Sequence, residues 1–377
     1  MTKLKILLIA AGGTIAQEHD ANGATNEFLS SNFYEEINGI VDEINELLNK
    51  KSSIEIHGIS NIDVDKSLEQ IDSTRVNFEY WEQLIDKITE NYHRYDAFVI
   101  TIGTNTLGYT SAALSFALTN LSKPVVLTGA QVSFGYPGSD VRMNLENAIR
   151  IAAYKCDAFE TLAGVLVVLG SAVITGTRAK KKTEFDYDAF KSFNANTIGR
   201  IGNSIRMNES GLIRHMHCWI SNPCLPDVNK KGLVVEKKFD MNIASLTEYP
   251  GMKSELLISL ANKSNDYSVN GFILRATGAG DPNVFDSNNL SLKNGFEFLR
   301  DNRIPIVVTT QAPDGIASMK VNNLGVIAER DFKAIPAWDM SMEAMTVKLA
   351  WLLGQNLPYE DIREMMVKPI KGEICPL

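Results

Sequence analysis

A chain of 377 residues, 45% hydrophobic and 22% charged with a net charge of −8, has room for two packed cores, because single cores seldom grow past roughly 250–300 residues. The negative balance offers no basic face to nucleic acid, and no stretch approaches the roughly 20 apolar residues of a membrane span. The cysteines, Cys156, Cys218, Cys224 and Cys375, show neither CxxC nor Cys/His metal spacing, and with no disulfide framework a reducing cytoplasm is the expected setting.

The first apolar run, "KILLIAA" at 5–11, follows Lys3 and Lys5 as a signal peptide would. It is short and leads into a glycine turn rather than a cleavage site, so it predicts a buried strand. "FYEEINGIVDEINELLNK" (33–50) then repeats its apolar residues at three and four, the period of a helix. The same alternation continues through strand "SIEIHGI" (53–59) and helix "NFEYWEQLIDKITENY" (77–92), then strand "AFVITIG" (97–103) and helix "TSAALSFALTN" (110–120). It ends with strand "KPVVLTGA" (123–130), helix "MNLENAIRIAAY" (143–154) and strand "GVLVVLG" (164–170). Continuous apolar strands between helices predict an α/β fold with a doubly wound, mainly parallel sheet covered on both faces.

Residues 206–235 break that pattern with "HMHCW", two prolines and "DVNKKG", and are read as a linker after a first domain at 1–205. A second α/β run follows at 236–377, through "LISLANKS", "GFILRATGAG", "NGFEFLRDN", "IPIVVTTQAP" and "SMEAMTVKLAWLLGQ". It predicts a smaller flavodoxin-like or Rossmann-like domain. His215 and His217 form a weak HxH pair, more easily read as ordinary helix or loop residues than as metal ligands.

Ligands of doubly wound sheets bind beyond the carboxyl ends of the strands. Four segments place small polar residues there: "AGGTIA" (11–16), "IDSTR" (71–75), "TIGTNT" (101–106) and "LTGAQ" (127–131). Glycines let the backbone approach a ligand and aim N–H groups at developing negative charge. A threonine after such a turn can act as a nucleophile once a base or cation eases its deprotonation. A lone Gly-Gly-Thr is ordinarily a turn and helix cap, and it is the repetition, Thr14 on one turn and Thr104 on another with Ser73 on a third, that points to chemistry. Neither GxGxxG nor GxxxxGK[ST] occurs at these turns, which leaves out a phosphate loop. The basic run "TGTRAKKKTEFDYDAF" (175–190) follows the strand "GVLVVLG", where a lysine reaching in could hold a proton or stabilise an alkoxide.

Six segments in order, "LLIAAGGTIA", "ITIGTNTLGYTSAALSF", "KPVVLTGAQ", "GTRAKKKTEFDYDAFKS", "RATGAG" and "WDMSMEAMTVKLAWLLGQ", resemble the bacterial-type L-asparaginases over nearly the whole chain. The "GYTSAALSF" and "TGAQ" segments are also similar to the asparaginase-like subunit of archaeal glutamyl-tRNA amidotransferase. The extra N-terminal domain of that subunit has no counterpart here, so a stand-alone protein is expected. The resemblance implies a two-domain asparaginase fold and an amidohydrolase that acts through threonine nucleophiles and an acyl-enzyme, without a metal. Thr14, after Gly13, would match the mobile nucleophile, and Thr104 the threonine of a second, rigid triad. Lys181 would match that triad's lysine, with Lys182 the one-residue alternative. Ser73, with Thr74 beside it, would bind a substrate carboxylate, and backbone groups near Gly103 and Ala130 would shape the oxyanion site. A homodimer or homotetramer is implied, in which a neighbouring subunit completes the pocket through Gly280 and Asp281.

The departures from the family pattern are informative. Its His-Gly-Thr-Asp-Thr reads Ile102-Gly103-Thr104-Asn105-Thr106 here. Asn105 has nearly the shape of the aspartate but no charge, so it grips a lysine or a substrate α-ammonium less strongly. The tyrosine expected beside Thr14 falls by spacing near Ala24, and an acid is replaced at Arg75. Together these substitutions predict a small amide that is modified or N-substituted, with hydrolysis or acyl transfer as the outcome. The alternatives are an ordinary L-asparaginase and a catalytically silent homologue that binds a ligand or partner.

Overall fold

The computed structural model of the chain describes residues 3–20, 23–28, 31–50, 55–155, 162–220, 232–264, 268–285 and 290–375, with backbone alone at 17–20, 23–28, 31–36 and 220. These residues divide into two compact units, Met1–Lys237 and Lys238–Leu377.

The first unit is built on an eight-stranded sheet. Its strands are β1 (Leu4–Ala10), β2 (Ile59–Asp65), β3 (Ala97–Thr101), β4 (Pro124–Thr128), β5 (Gly164–Leu169), β6 (Ala172–Thr175), β7 (Gly199–Ile201) and β8 (Ile205–Met207). They lie side by side in the order β8-β7-β6-β5-β4-β3-β1-β2. From β2 through β5 the pairing is parallel, and β6, β7 and β8 append an antiparallel edge. Strands β3, β4 and β5 are buried along their whole length, as the side chains of parallel strands covered on both faces must be. Between them run helices α1 (Ser31–Lys50), α2 (Phe78–Asn91), α3 (Leu107–Ala117) and α4 (Val141–Ala152).

The chain runs from β1 outward to β2 and then returns to the other side of β1 for β3. This reversal opens a crevice at the carboxyl ends of β1 and β3, the place where α/β sheets bind ligands. The two Gly-Thr turns stand there.

Two expectations are corrected. The second strand falls at Ile59–Asp65 rather than at "SIEIHGI", of which residues 53 and 54 lie outside the described residues. It is the sheet's outer strand and half exposed, so its sequence ISNIDVD alternates polar and apolar instead of reading as an apolar run. The segment 206–235 also carries structure: β8 ends in it, and helix α5 (Glu209–Ile220) follows, while residues 221–231 lie outside the described residues. Leu212, Met216 and Trp219 are buried at helical spacing, a period that "HMHCW" hides because its two histidines point to different sides.

His215 is buried, with Nε2 donating to the Ala163 carbonyl at 2.8 Å and Nδ1 3.2 Å from Thr175 Oγ1, while His217 is exposed. The pair therefore shares no metal, and no metal-holding group of His, Cys, Asp and Glu occurs among the described residues. Trp219 closes the same corner against Gly164, whose φ of +97° favours glycine and where a Cβ would come within 2.4 Å of the indole.

The second unit carries a four-stranded parallel sheet, β9 (Ile243–Thr247), β10 (Gly271–Ala276), β11 (Ile306–Thr310) and β12 (Ile335–Pro336), in that order. Its helices are α6 (Ser254–Ala261), α7 (Lys293–Asp301), α8 (Asn323–Phe332), α9 (Met342–Gly354) and α10 (Tyr359–Met366). Phe272, Leu274, Phe296, Leu299, Val308 and Phe332 are among the residues of its core. No helix among the described residues is long and apolar enough to cross a membrane.

Burial pushes the His215 imidazole down to about 4. The unfolded chain, with an ordinary histidine, binds a proton that the folded chain refuses between pH about 6.5 and about 4. Stability therefore falls as the pH drops through this window, by about 3 kcal/mol in full. Urea unfolding between pH 7 and 4 should show this slope in the wild type and a flatter one in His215→Gln. Parallel pH dependences in the two proteins would contradict it.

Candidate active site

The crevice is assembled by backbone before any side chain enters it. Ala11 N donates to Thr101 O at 2.9 Å, Gly13 N to Ile71 O at 3.0 Å and Ile102 N to Thr128 O at 3.0 Å. These bonds carry the pairing past the strand ends and draw four loops together. The contact is so close that side chains are excluded. A Cβ on Gly13 would come within 2.1 Å of Gly103 N, and Gly13 has φ +84°. A Cβ on Gly103 would come within 2.6 Å of Ser73 Oγ, and one on Gly129 within 2.5 Å of Ile102 O. Gly13, Ser73, Gly103 and the turn at 129–131 thus form one tightly packed floor.

Thr14 and Thr104 rise from that floor. Thr14 begins a short 3₁₀ turn (Thr14–Ala16), and no described side chain hydrogen-bonds to its hydroxyl. Thr104 is buried and receives Lys181 Nζ on its Oγ1 at 2.8 Å. The same Nζ donates to Asn105 Oδ1 at 2.9 Å. Lys181 arrives on a ribbon of two short antiparallel strands, Ala179–Lys181 and Phe190–Ser192, in which Lys181 pairs with Phe190. Side chains alternate along a strand, so Lys181 turns toward Thr104 while its neighbours Lys180 and Lys182 turn away, and Lys182 is exposed.

The electrostatics follow from what stands beside Lys181. Burial lowers its pKa, and the Glu184 carboxylate opposes that only in part. Asn105 supplies an acceptor without a charge. An amine held this way sits closer to its neutral form than an ordinary lysine, and neutral Nζ can accept the Thr104 proton while donating to Asn105.

The surrounding residues are placed as follows. Ser73 is buried, and its carbonyl accepts Thr106 Oγ1 at 2.6 Å. Thr74 is turned onto Asp72, its hydroxyl donating to Oδ1 at 2.6 Å and its N–H at 2.8 Å. Arg75 lies 3.4 Å from Glu69, both exposed, so its guanidinium already has an acid beside it. Ala130 is buried, and the N–H groups of Thr104 and Ala130 have no acceptor among the described residues. A buried N–H without an acceptor is rare in a finished fold, and at a strand end it suits an oxyanion. The Ala24 side chain lies outside the described residues.

Asp281 stands in the second unit, on the loop after β10. Its Oδ2 accepts Ala279 N at 3.2 Å and Asn322 Nδ2 at 2.6 Å, and its Oδ1 faces the first turn of α8 at Gly325. Oδ2 is thereby engaged inside its own unit, while Oδ1 is buried without a hydrogen-bond partner among the described residues. Gly280 beside it has φ +92°.

Several residues that build the site were not singled out in the sequence. The Tyr80 hydroxyl donates to Ala11 O at 3.0 Å and Glu69 O at 2.8 Å, bracing the first turn from α2. Asp140, just before α4, and Asn144, on it, hold the turn at 129–132. A tyrosine on an apolar helix face and an aspartate before a helix carry no local signal of such roles.

Known proteins resemble this chain along nearly its whole length. A family model described as asparaginase, N-terminal, matches residues 5–212, and one described as glutaminase/asparaginase C-terminal domain matches 242–366. The chain is 30% identical over 371 residues to the L-asparaginase of Thermococcus kodakarensis, covering 98% of this chain and 99% of that one. It is 32% identical over 385 residues to one subunit of the glutamyl-tRNA(Gln) amidotransferase of the same organism, covering 98% of this chain and 76% of that relative. The solved structure of the thermostable L-asparaginase from Thermococcus kodakarensis superposes with a TM-score of 0.77 at 29% identity, over 99% of this chain and 100% of that one. With both models matched in order along one two-unit α/β chain, the protein belongs to the asparaginase family.

Proposed function

We propose that the protein is an amidohydrolase that cleaves a small side-chain amide through a threonine ester, with Lys181 as the base. The observation that carries this reading is Lys181 Nζ, 2.8 Å from Thr104 Oγ1 with Asn105 as its other acceptor. The Thr104 proton passes to Lys181 as Oγ1 adds to the amide carbon. Charge gathers on the former carbonyl oxygen, which the Ala130 N–H can receive. Collapse breaks the C–N bond, and the Lys181 proton leaves with the amine or ammonia. Water, or an amine in acyl transfer, then takes the acyl group. Thr14, on the turn packed against Gly103, is the second nucleophile position, with Ser73 on the substrate side of the same floor.

Asn105 bears on the substrate. A free α-ammonium needs a carboxylate, and position 105 supplies only an amide oxygen. A modified or N-substituted amide needs no such grip, so it is the proposed substrate class, with free asparagine as the poorer one. A second copy of the chain completing the pocket belongs to the same proposal, although Asp281 would have to leave the partners it holds within its own unit. The protein would work without a cofactor.

Ammonia or amine release should be measured on asparagine, glutamine and a panel of N-acylated and peptide amides. The expected result is turnover of at least one substituted amide. Thr104→Ala and Lys181→Met should each lower kcat by about 10³-fold, and the double variant should lose little more, because the two groups act as one unit. Thr14→Ala should be inactive as well. No turnover on any amide, with ligand binding unchanged in Thr14→Ala and Thr104→Ala, would sink the enzyme reading in favour of a silent binding protein.

The pH profile gives a second check. The base works unprotonated, so kcat/KM rises with pH and levels off above the Lys181 pKa, which burial holds below the ordinary lysine value. Asn105→Asp places a carboxylate beside the amine and raises that pKa, so the acid limb should move to higher pH while asparagine turnover improves. An unmoved limb would remove Lys181 from the role of base.

A further inference from the structure

An aspartate in the residue before a helix ordinarily caps that helix with its own side chain. Asp140 stands in this position before α4 and makes no such cap. Its carboxylate, 4% exposed, instead reaches back across nine residues of chain. It takes Gln131 N at 3.0 and 3.1 Å and Val132 N at 2.9 Å. One turn further along α4, Asn144 Nδ2 donates to Asp140 Oδ2 at 2.8 Å and to Gly129 O at 2.9 Å, while its Oδ1 accepts Gly170 N at 2.9 Å. The peptides on either side of Ala130 are therefore both fixed by this pair, Gly129 through its carbonyl and Gln131 through its N–H.

The turn so fixed is also tied to the two parts of the site. Gly129 packs on the end of β3, where a Cβ would lie 3.2 Å from Thr104 Cγ2. Gln131 Nε2 donates to Glu184 O at 2.8 Å, three residues beyond Lys181 on its ribbon. On the far side of Asn144, Gly170 leads into Ser171, whose N–H donates to Asp188 at 2.8 Å, again on the Lys181 loop. One buried carboxylate thus stands between the Ala130 N–H, Thr104 and the lysine ribbon.

We infer that Asp140 is a positioning residue: through Gln131, Val132 and Asn144 it sets the Ala130 N–H at the place where the oxyanion develops. It touches no reacting atom. Displacements near 1 Å at such a donor cost about 10²-fold in rate. This inference rests on the amide-cleaving reading above, but its physical core, a turn held by one carboxylate, is testable without turnover.

Asp140→Ala and Asp140→Asn should be compared by amide hydrogen exchange and by kinetics on whichever amide the wild type cleaves. In Asp140→Ala the amides of Gln131 and Val132 should exchange at least about 100-fold faster, with exchange in β3 and β4 unchanged. The same variant should lose about 100-fold in kcat, with KM within about threefold. Asp140→Asn keeps one oxygen that accepts both N–H groups, and it should recover at least about tenfold of the lost kcat. Unchanged exchange at 131 and 132 would overturn the inference. So would a kcat loss that only tracks the folded fraction, or one that Asn fails to rescue. Should the wild type cleave no amide, the functional reading fails alone. Exchange gained only at 129–132 and on the ribbon at 179–184 would then still support the positioning role, and exchange spread over the whole unit would overturn it.

Discussion

The site exists because two backbones touch. Gly13 and Gly103 lie so close that a Cβ on Gly13 would come within 2.1 Å of Gly103 N. Any side chain at position 13 would push the first Gly-Thr turn off the second and separate Thr14 from Thr104. The positive φ of Gly12 and Gly13 adds a conformational reason for glycine to the steric one. The contact falls at the reversal between β1 and β3, so the topology of the sheet brings the turns together and the absence of side chains lets them meet.

On this floor the chemistry depends on charge more than on shape. Thr104, Lys181 and Asn105 form a compact hydrogen-bonded set centred on Lys181 Nζ. An aspartate at 105 would hold the lysine more firmly in its ammonium form and raise its pKa, so the amine would take a proton only at higher pH. The amide leaves geometry intact and weakens that hold, so burial prevails in setting the state of the amine. In the proposed reading, Asn105 leaves burial to ease the base role of Lys181 and offers no carboxylate to a free α-ammonium.

Much of this was legible in the sequence, and the parts that were not have physical causes. The parallel strands are read from unbroken apolar runs because they are buried on both faces. Strand Ile59–Asp65 is not, since an edge strand with one wet face carries polar residues. The Gly-Thr turns and the lysine ribbon lie within short local motifs, so Thr14, Thr104 and Lys181 could be named from them. Asp140, Asn144 and Tyr80 act on backbone far away in sequence, and nothing local distinguishes them from a helix start or a core tyrosine. Asp281 was named from the resemblance alone, and its Oδ2 is bonded to its own loop and to the residue before α8.

The proposed chemistry rests on a Lys181 amine whose pKa burial lowers beside Thr104. The most direct measurement is an NMR titration of the Lys181 side chain, with its signal assigned by comparison with Lys181→Met. The amine should titrate below the ordinary lysine value of about 10.4, and Asn105→Asp should raise it. A Lys181 that titrates at or above that value, unmoved by Asn105→Asp, would contradict the account.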